Sequence, residues 1–494
     1  MSGRTANATV GSLPDTAATK SLVPAALTWL VWALFAASVA TLVAQVRAND
    51  VWRVANVVAI DGLTVLLWVV VTFVSGIVHS YSRRYLSGSA HERRFFVAVF
   101  GFTAVVMGLV GADHVVVFGF LWLVMGLVMA ELVGLVTGWK QARAAARVAR
   151  RYFLASGALL GLALGALWWA TGEPTITGIT TATDGLGGPV WLVAVGALVL
   201  AAMIQSALIP FHTWLLASMT APTPASALMH AGFVNAGGIL LTRFAPVVAI
   251  DQTVMFAIVL AGAASALLGK LLKSVRTDVK GTLACSTVGQ MGFMIMQAGL
   301  GFFGAAITHL ILHGFYKAHH FLSAGEAIER TTPGEESTDG LGLVGIAVTL
   351  LTGLAGGALF AVLTGKGLHV DGGLVLVLIV VVTTLQATRE VVARTSLPAL
   401  FRYGAIPTVF LPAIAVYALV YSAVSELMDG LPVVTAPTEL TVVHVVVAAG
   451  FVGAYLAVET GVYERSRRLY VALLNASHPS ARTVLTARED YNEY

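Results

Sequence analysis

Apolar runs of about 20 residues recur along this chain, and each is long enough to cross the hydrocarbon core of a bilayer as a helix. They fall at about residues 24–46, 57–79, 95–112, 114–137, 152–172, 189–219, 222–246, 252–272, 281–299, 301–325, 342–364, 372–391, 405–427 and 439–461. The expectation is an all-α polytopic membrane protein with about fourteen transmembrane helices. Composition agrees: 11% of the 494 residues are charged, against about 25% in soluble chains. The run at 189–219 exceeds one straight crossing and contains Pro210, which removes a backbone donor and breaks a helix.

Basic residues sort the connections. Arg83, Arg84, Arg93 and Arg94 lie in one loop, and Lys140, Arg143, Arg147, Arg150 and Arg151 in another. Further groups are Lys273, Arg276 and Lys280; Arg389, Arg394 and Arg402; and Arg465, Arg467 and Arg468. The loops at 173–188 and 428–438 hold neither Lys nor Arg. In the fourteen-span count every basic loop falls on one side, so both termini are expected in the cytoplasm of a cell-membrane protein. The connection at 47–56, with Arg47 and Arg53, fits least well. The chain divides into an N-terminal tail (1–23), a membrane region (24–461) and a C-terminal tail (462–494). The first apolar run, after a polar tail, reads as a span rather than a cleavable signal. The net charge of +4 is spread over loops that set orientation and does not suggest nucleic acid. Cys285 is the single cysteine, so no intrachain disulfide and no Cys-based metal spacing exists.

One run carries titratable residues: THLILHGFYKAHHFLSAG at 308–325. On a helix turning about 100° per residue, His313, Lys317 and His320 lie about 40°, 80° and 20° from His309. These four form a stripe about 16 Å long, and His319 points elsewhere. Charged side chains at mid-membrane cost roughly 2.5–3.5 kcal/mol on insertion scales, so the stripe must face protein or water. Imidazoles exchange protons near neutrality, and a desolvated lysine can approach that range. A proton relay is the favoured reading over helix–helix hydrogen bonding. The His309/His313 pair also has the spacing of paired metal ligands, but no nearby carboxylate or thiol completes a site. A second polar segment, QSALIPFHTWLLASMTAPTPASALMHAGFVNAGGILLTRFAP at 205–246, combines Gln205, Pro210, His230 and Asn235. Broken helices in membranes usually line cavities, which suggests a shared hydrated path.

SALIPFHTWLLASMTAPTPASALMHAG, with DGLTVLLWVVVTFVSGIVHSYSRRYL at 61–86 and ADHVVVFGFLW at 112–122, resembles the antiporter-like proton-translocating subunits of respiratory complex I and the Mrp antiporters. The resemblance implies two inverted five-helix repeats, about 95–246 and 252–391, each with a broken helix, near Pro210 and near the glycines at 353–357. It implies Lys366 as a lysine near the second break. Two positions depart from the family. Leu123 stands where complex I subunits carry a glutamate, and Gln205 where they carry a lysine. Glu131, two turns on, is a candidate substitute. QSALIPFHTWL and RLYVALLNASHPSARTVLTAREDY are similar to the DabB (MpsA) subfamily, the membrane half of two-subunit inorganic carbon pumps. That similarity implies a cytoplasmic zinc partner of the DabA type, which resembles a β-carbonic anhydrase, and a flux of protons or Na+ that drives its CO2 hydration. The alternatives are a proton-pumping subunit of a complex I-like or hydrogenase complex, or an Mrp-type antiporter subunit. No nucleophile–base pair or metal cage is recognisable, so the chain is read as an ion-translocating subunit without a cofactor, not an enzyme.

Overall fold

The computed structural model describes residues 21–48, 50–325, 343–392 and 399–479. Most of the N-terminal tail, Arg394 and the end of the C-terminal tail lie outside the described residues, as do the side chains of Arg389 and Arg402.

Each apolar run of the sequence forms helix over most of its length. The first five are α1 (Val23–Ala48), α2 (Gly62–Tyr85), α3 (Glu92–Gly111), α4 (Val115–Val133) and α5 (Lys140–Thr171). A β-hairpin, β1 (Trp52–Val54) and β2 (Val58–Ile60), fills the connection that fits the charge rule least well, and α2 therefore starts later than its apolar run. Asp61 then caps α2, accepting from Thr64 N at 2.8 Å. After the short α6 (Ile176–Thr181) comes α7 (Gly188–Gln205). The chain leaves helix at Ser206 and resumes it in α8 (Thr213–Ala217), so the break expected at Pro210 is present. The next run is also interrupted, between α9 (Thr223–Ala231) and α10 (Ala236–Arg243), and ends in α11 (Ala245–Val248). Side chains satisfy the freed backbone. Ile209 N donates to Ser265 Oγ (3.2 Å), Trp214 Nε1 to Ile204 O (2.9 Å) and Asn235 Nδ2 to Ala231 O (2.7 Å).

The remaining elements are α12 (Gln252–Ser274), α13 (Val279–Gly299), α14 (Phe303–Leu322), α15 (Leu343–Thr364), α16 (Gly373–Val392), α17 (Ala399–Leu427), α18 (Val442–Glu459), α19 (Val462–Arg465) and α20 (Arg467–Ala476). Ten helical segments of the described residues are long and apolar enough to cross a membrane, and α16 and α18 hold shorter apolar stretches. Large apolar side chains such as Trp29, Trp169 and Leu351 are exposed on the outside of the bundle, as a lipid-facing surface requires.

The expectation of a break at the glycines 353–357 is not met. Helix α15 runs unbroken through them. A Cβ at Gly353, Gly356 or Gly357 would lie within 2.4–2.8 Å of Leu385, Ile414 or Val381, so these glycines admit neighbouring helices rather than interrupt their own. The chain leaves helix only past Thr364, at the connection that holds Lys366.

Helices α12 and α13 approach closely along a seam of glycines. A Cβ on Gly292 would sit 2.4 Å from Ala266 N, and one on Gly269 would sit 2.3 Å from Gly289 N. Without a hydrophobic drive between helices in lipid, such backbone contact supplies the packing. Gly292→Leu should therefore force α12 from α13 at a cost of about 1–3 kcal/mol or more. A thermal scan of the detergent-solubilised protein should show a lower midpoint.

The two ends of the bundle differ. One carries the hairpin and is knit by the bridges His114–Thr175, Phe302–Thr435 and Asp371–Glu439. At the other, Tyr85 Oη lies 3.4 Å from Thr223 Oγ1, Lys280 Nζ donates to Ala221 O (3.0 Å), and His212 Nε2 pairs with Ala476 O of α20 (3.2 Å). The basic connections at 80–94, 138–151 and 273–280 gather at this second end, the basic-loop end.

Candidate functional site

Helix α14 carries the histidine–lysine stripe into the protein interior. His313 and Lys317 are buried, Lys317 completely, while His309 and His320 are half-buried and His319 is exposed. The rings of His309 and His313 stack with centroids 5.7 Å apart and planes 15° from parallel. Their Nε2 atoms are buried and make no hydrogen bond within the protein. His320 lies against Tyr316, centroids 4.2 Å apart, towards the basic-loop end.

Lys317 Nζ donates to Leu283 O at 2.8 Å. The same carbonyl accepts from Thr287 Oγ1 at 2.9 Å, and Thr287 Oγ1 pairs with His230 Nδ1 at 2.9 Å. One turn of α13 thus joins the lysine of α14 to the histidine of α9. His230 is fully buried, stacks on Phe321 with centroids 4.4 Å apart, and has an unbonded Nε2. Sequence reasoning placed His230 and Lys317 in separate segments and missed Thr287. A lone hydroxyl in an apolar run gives no sequence signal of its own.

A cavity of about 400 Å³ adjoins this line. It is lined by Lys270, Lys273, Gln290, Phe293, His309 and Gln386, among others, so it reaches from the basic-loop end of α12 to the first histidine. A more apolar cavity of about 300 Å³ shares Phe293 and Ile379 with it and includes Gln297, Phe360 and Tyr417. Past Phe360 lies Lys366, at the hairpin end. The residue is 4% exposed, and its ammonium sits 3.0 Å from the Tyr421 ring centroid, with Phe302 and Phe360 further off. Nζ has no hydrogen-bond partner, and burial pushes this loop amine down to about 7. The chemistry available is proton transfer among imidazoles and amines, beside cavities with room for the water such transfer needs.

The first half differs. Gln205 is fully buried at the end of α7 with neither amide atom bonded. Pro210 is exposed in the break after it. Leu123 packs on Gly157 of α5, and neighbouring Trp122 donates to Ser156 Oγ at 3.1 Å. Glu131, the candidate substitute, is ion-paired with Arg94 in a half-exposed position, which ties it to the rim. The structure does not bring it to Gln205. Among the described residues no group of three or more His, Cys, Asp or Glu side chains could hold a metal ion.

Two family models match the chain. The one for NADH:quinone oxidoreductase/Mrp antiporter transmembrane regions covers residues 112–355, and that for the N-terminus of complex I chain 5 covers 52–96. A probable inorganic carbon transporter subunit DabB of Bacillus subtilis is 38% identical over 325 residues, 64% of this chain and 63% of that protein. The chain therefore spans less than two thirds of that relative. The probable DabB of Bacillus anthracis is 35% identical over 343 residues, 69% of this chain and 67% of that protein. In the solved Mrp complex from Dietzia sp. DQ12-45-1b, one chain shares the fold with a TM-score of 0.56 at 22% identity, over 92% of this chain and 50% of that one.

Proposed function

Because the chain belongs to the NADH:quinone oxidoreductase/Mrp antiporter family, on its DabB-like branch, we propose that it is the ion-conducting membrane subunit of an inorganic carbon pump. The observation that carries this reading is Lys317, a fully buried amine in a membrane helix held by a single carbonyl. A charge there costs about 2.5–3.5 kcal/mol on insertion scales, which packing alone does not repay. Protons pass between the cavity at His309 and the buried line His313, Lys317, Thr287 and His230. Lys366 is a further titratable group near the opposite end. Released at the basic-loop end, the flux drives CO2 hydration on a cytoplasmic zinc subunit of the DabA type. Both termini lie on that side.

The pump is tested by co-expression with a DabA-type partner in cells lacking carbonic anhydrase. Growth in ambient air should be rescued, and His313→Ala should remove the rescue. Absence of rescue with the unmodified pair, or rescue untouched by the substitution, refutes it. The second reading is an ion-translocating subunit of a redox-driven pump or an Mrp-type antiporter, supported by the family model over 112–355. It predicts co-purification with flavin or iron–sulfur subunits, or Na+-dependent pH homeostasis.

A further inference from the structure

Helix α2 carries a polar line that the path through α14 does not use. Asp61, Thr64, Thr72, Ser75, His79 and Ser82 are all buried, five of them completely. At about 100° per residue they fall, with Trp68, within an arc of about 80°. From Asp61 to Ser82 the line is about 31 Å long, the thickness of a bilayer core.

Each end is tied to the α9–α10 segment. At the hairpin end Asp61 forms an ion pair with Arg243, and both line a cavity of about 260 Å³ with Arg53, Asp113 and Thr177. At the basic-loop end Tyr85 meets Thr223. The two contacts fix an antiparallel register. His79, six residues before Tyr85, and His230, seven after Thr223, lie about 9 and 10 Å from that contact along their helices, and so at one depth.

Packing explains some of these hydroxyls. Thr72 donates to Trp68 O at 2.6 Å and Ser82 to Val78 O at 2.6 Å. It does not explain His79. This ring is fully buried, with the edge of Phe96 beside it. Nδ1 pairs with Ser75 O at 2.8 Å and approaches Ser75 Oγ at 3.2 Å, and Ser75 Oγ lies 2.6 Å from Thr103 Oγ1 of α3. Nε2 is buried with no partner. A packing histidine in lipid satisfies both nitrogens or exposes one. The charged groups of the line, Asp61 and Arg243, stand at its far end.

We propose that this line is a second proton leg, running from the Asp61–Arg243 cavity to the depth of His230, with His79 as its titratable group. His79 carries the proton at Nε2, taking it up and releasing it there while Nδ1 stays on Ser75 O, so the ring returns to its starting neutral tautomer after each passage. The leg lies in the amino-terminal half, where positions 123 and 205 are Leu and Gln. The inference rests on the ion-conducting reading above.

The test uses the purified full-length chain, with whatever subunits co-purify, in vesicles loaded with a pH-sensitive dye under a potassium diffusion potential. His79→Gln should lower proton flux several-fold, and Ser75→Ala with Thr103→Val should lower it less. Flux unchanged in monodisperse His79→Gln protein, with Lys317→Met abolishing it, overturns this leg and leaves the ion-conducting reading standing. Unmodified protein that conducts no protons overturns both. Should His79→Gln fail to fold, C2 hydrogen–deuterium exchange at histidine in the unmodified protein decides. Exchange at His79 that titrates with pH supports the leg, and a ring that never exchanges overturns it.

Discussion

Lys317→Met should lower proton flux through reconstituted vesicles on the order of 10²-fold, the scale at which a positioned proton-transfer group contributes to a rate. Lys317 is completely buried, and its amine donates a hydrogen bond to Leu283 O. That carbonyl also receives Thr287, which holds His230, so the amine sits where α14 and α9 meet through α13. Methionine fills nearly the same volume without the amine, so the packing of α14 survives and the loss reports chemistry. Lys317→Arg sharpens the test. A guanidinium keeps the charge but does not release its proton in the working range, so it should not restore flux. A purely structural cation would tolerate the exchange. Flux at the unmodified level in either variant, with the protein monodisperse, would remove Lys317 from the path.

Asp61→Asn should destabilise the fold by about 3–5 kcal/mol, because it leaves a buried guanidinium without its counter-charge. Arg243 is 10% exposed at its side chain and is paired with Asp61. It also donates to Thr64 Oγ1 at 2.6 Å and to Val110 O at 2.8 Å, so one group ties α10 to the start of α2 and the end of α3. The neutral amide keeps the cap of α2 and removes only the charge. Arg243→Gln added to Asp61→Asn should recover part of the loss, since two neutral groups avoid the unpaired buried charge. Thermal unfolding in detergent of the two single variants and the double variant measures this. A double variant no better than Asp61→Asn would show that the pair acts through shape, not charge.

Much of the architecture is legible along the chain because a bilayer restricts the choices. Every backbone group must be bonded internally, so apolar runs of about 20 residues can become little but helices, and each of those named here did over most of its length. The break near Pro210 was visible for the same reason, since proline lacks a donor wherever it sits. Glycine is ambiguous. At 353–357 it resembled a break and proved to be a contact surface, because a missing side chain serves flexibility and close packing equally. The β-hairpin at 52–60 was not anticipated, for its strands are three residues each.

The spacing of His309, His313 and Lys317 determined by itself that these groups share one helix face, because α-helical geometry is local. What that face meets was decided by tertiary structure alone. Thr287 and Leu283 join Lys317 to His230 only because α13 lies between α14 and α9, and Asp61 finds Arg243 across 182 residues of chain. Glu131 likewise goes to Arg94 rather than Gln205. Periodicity fixes direction within a helix, whereas the partner of a buried polar group follows from helix packing, which no local pattern encodes.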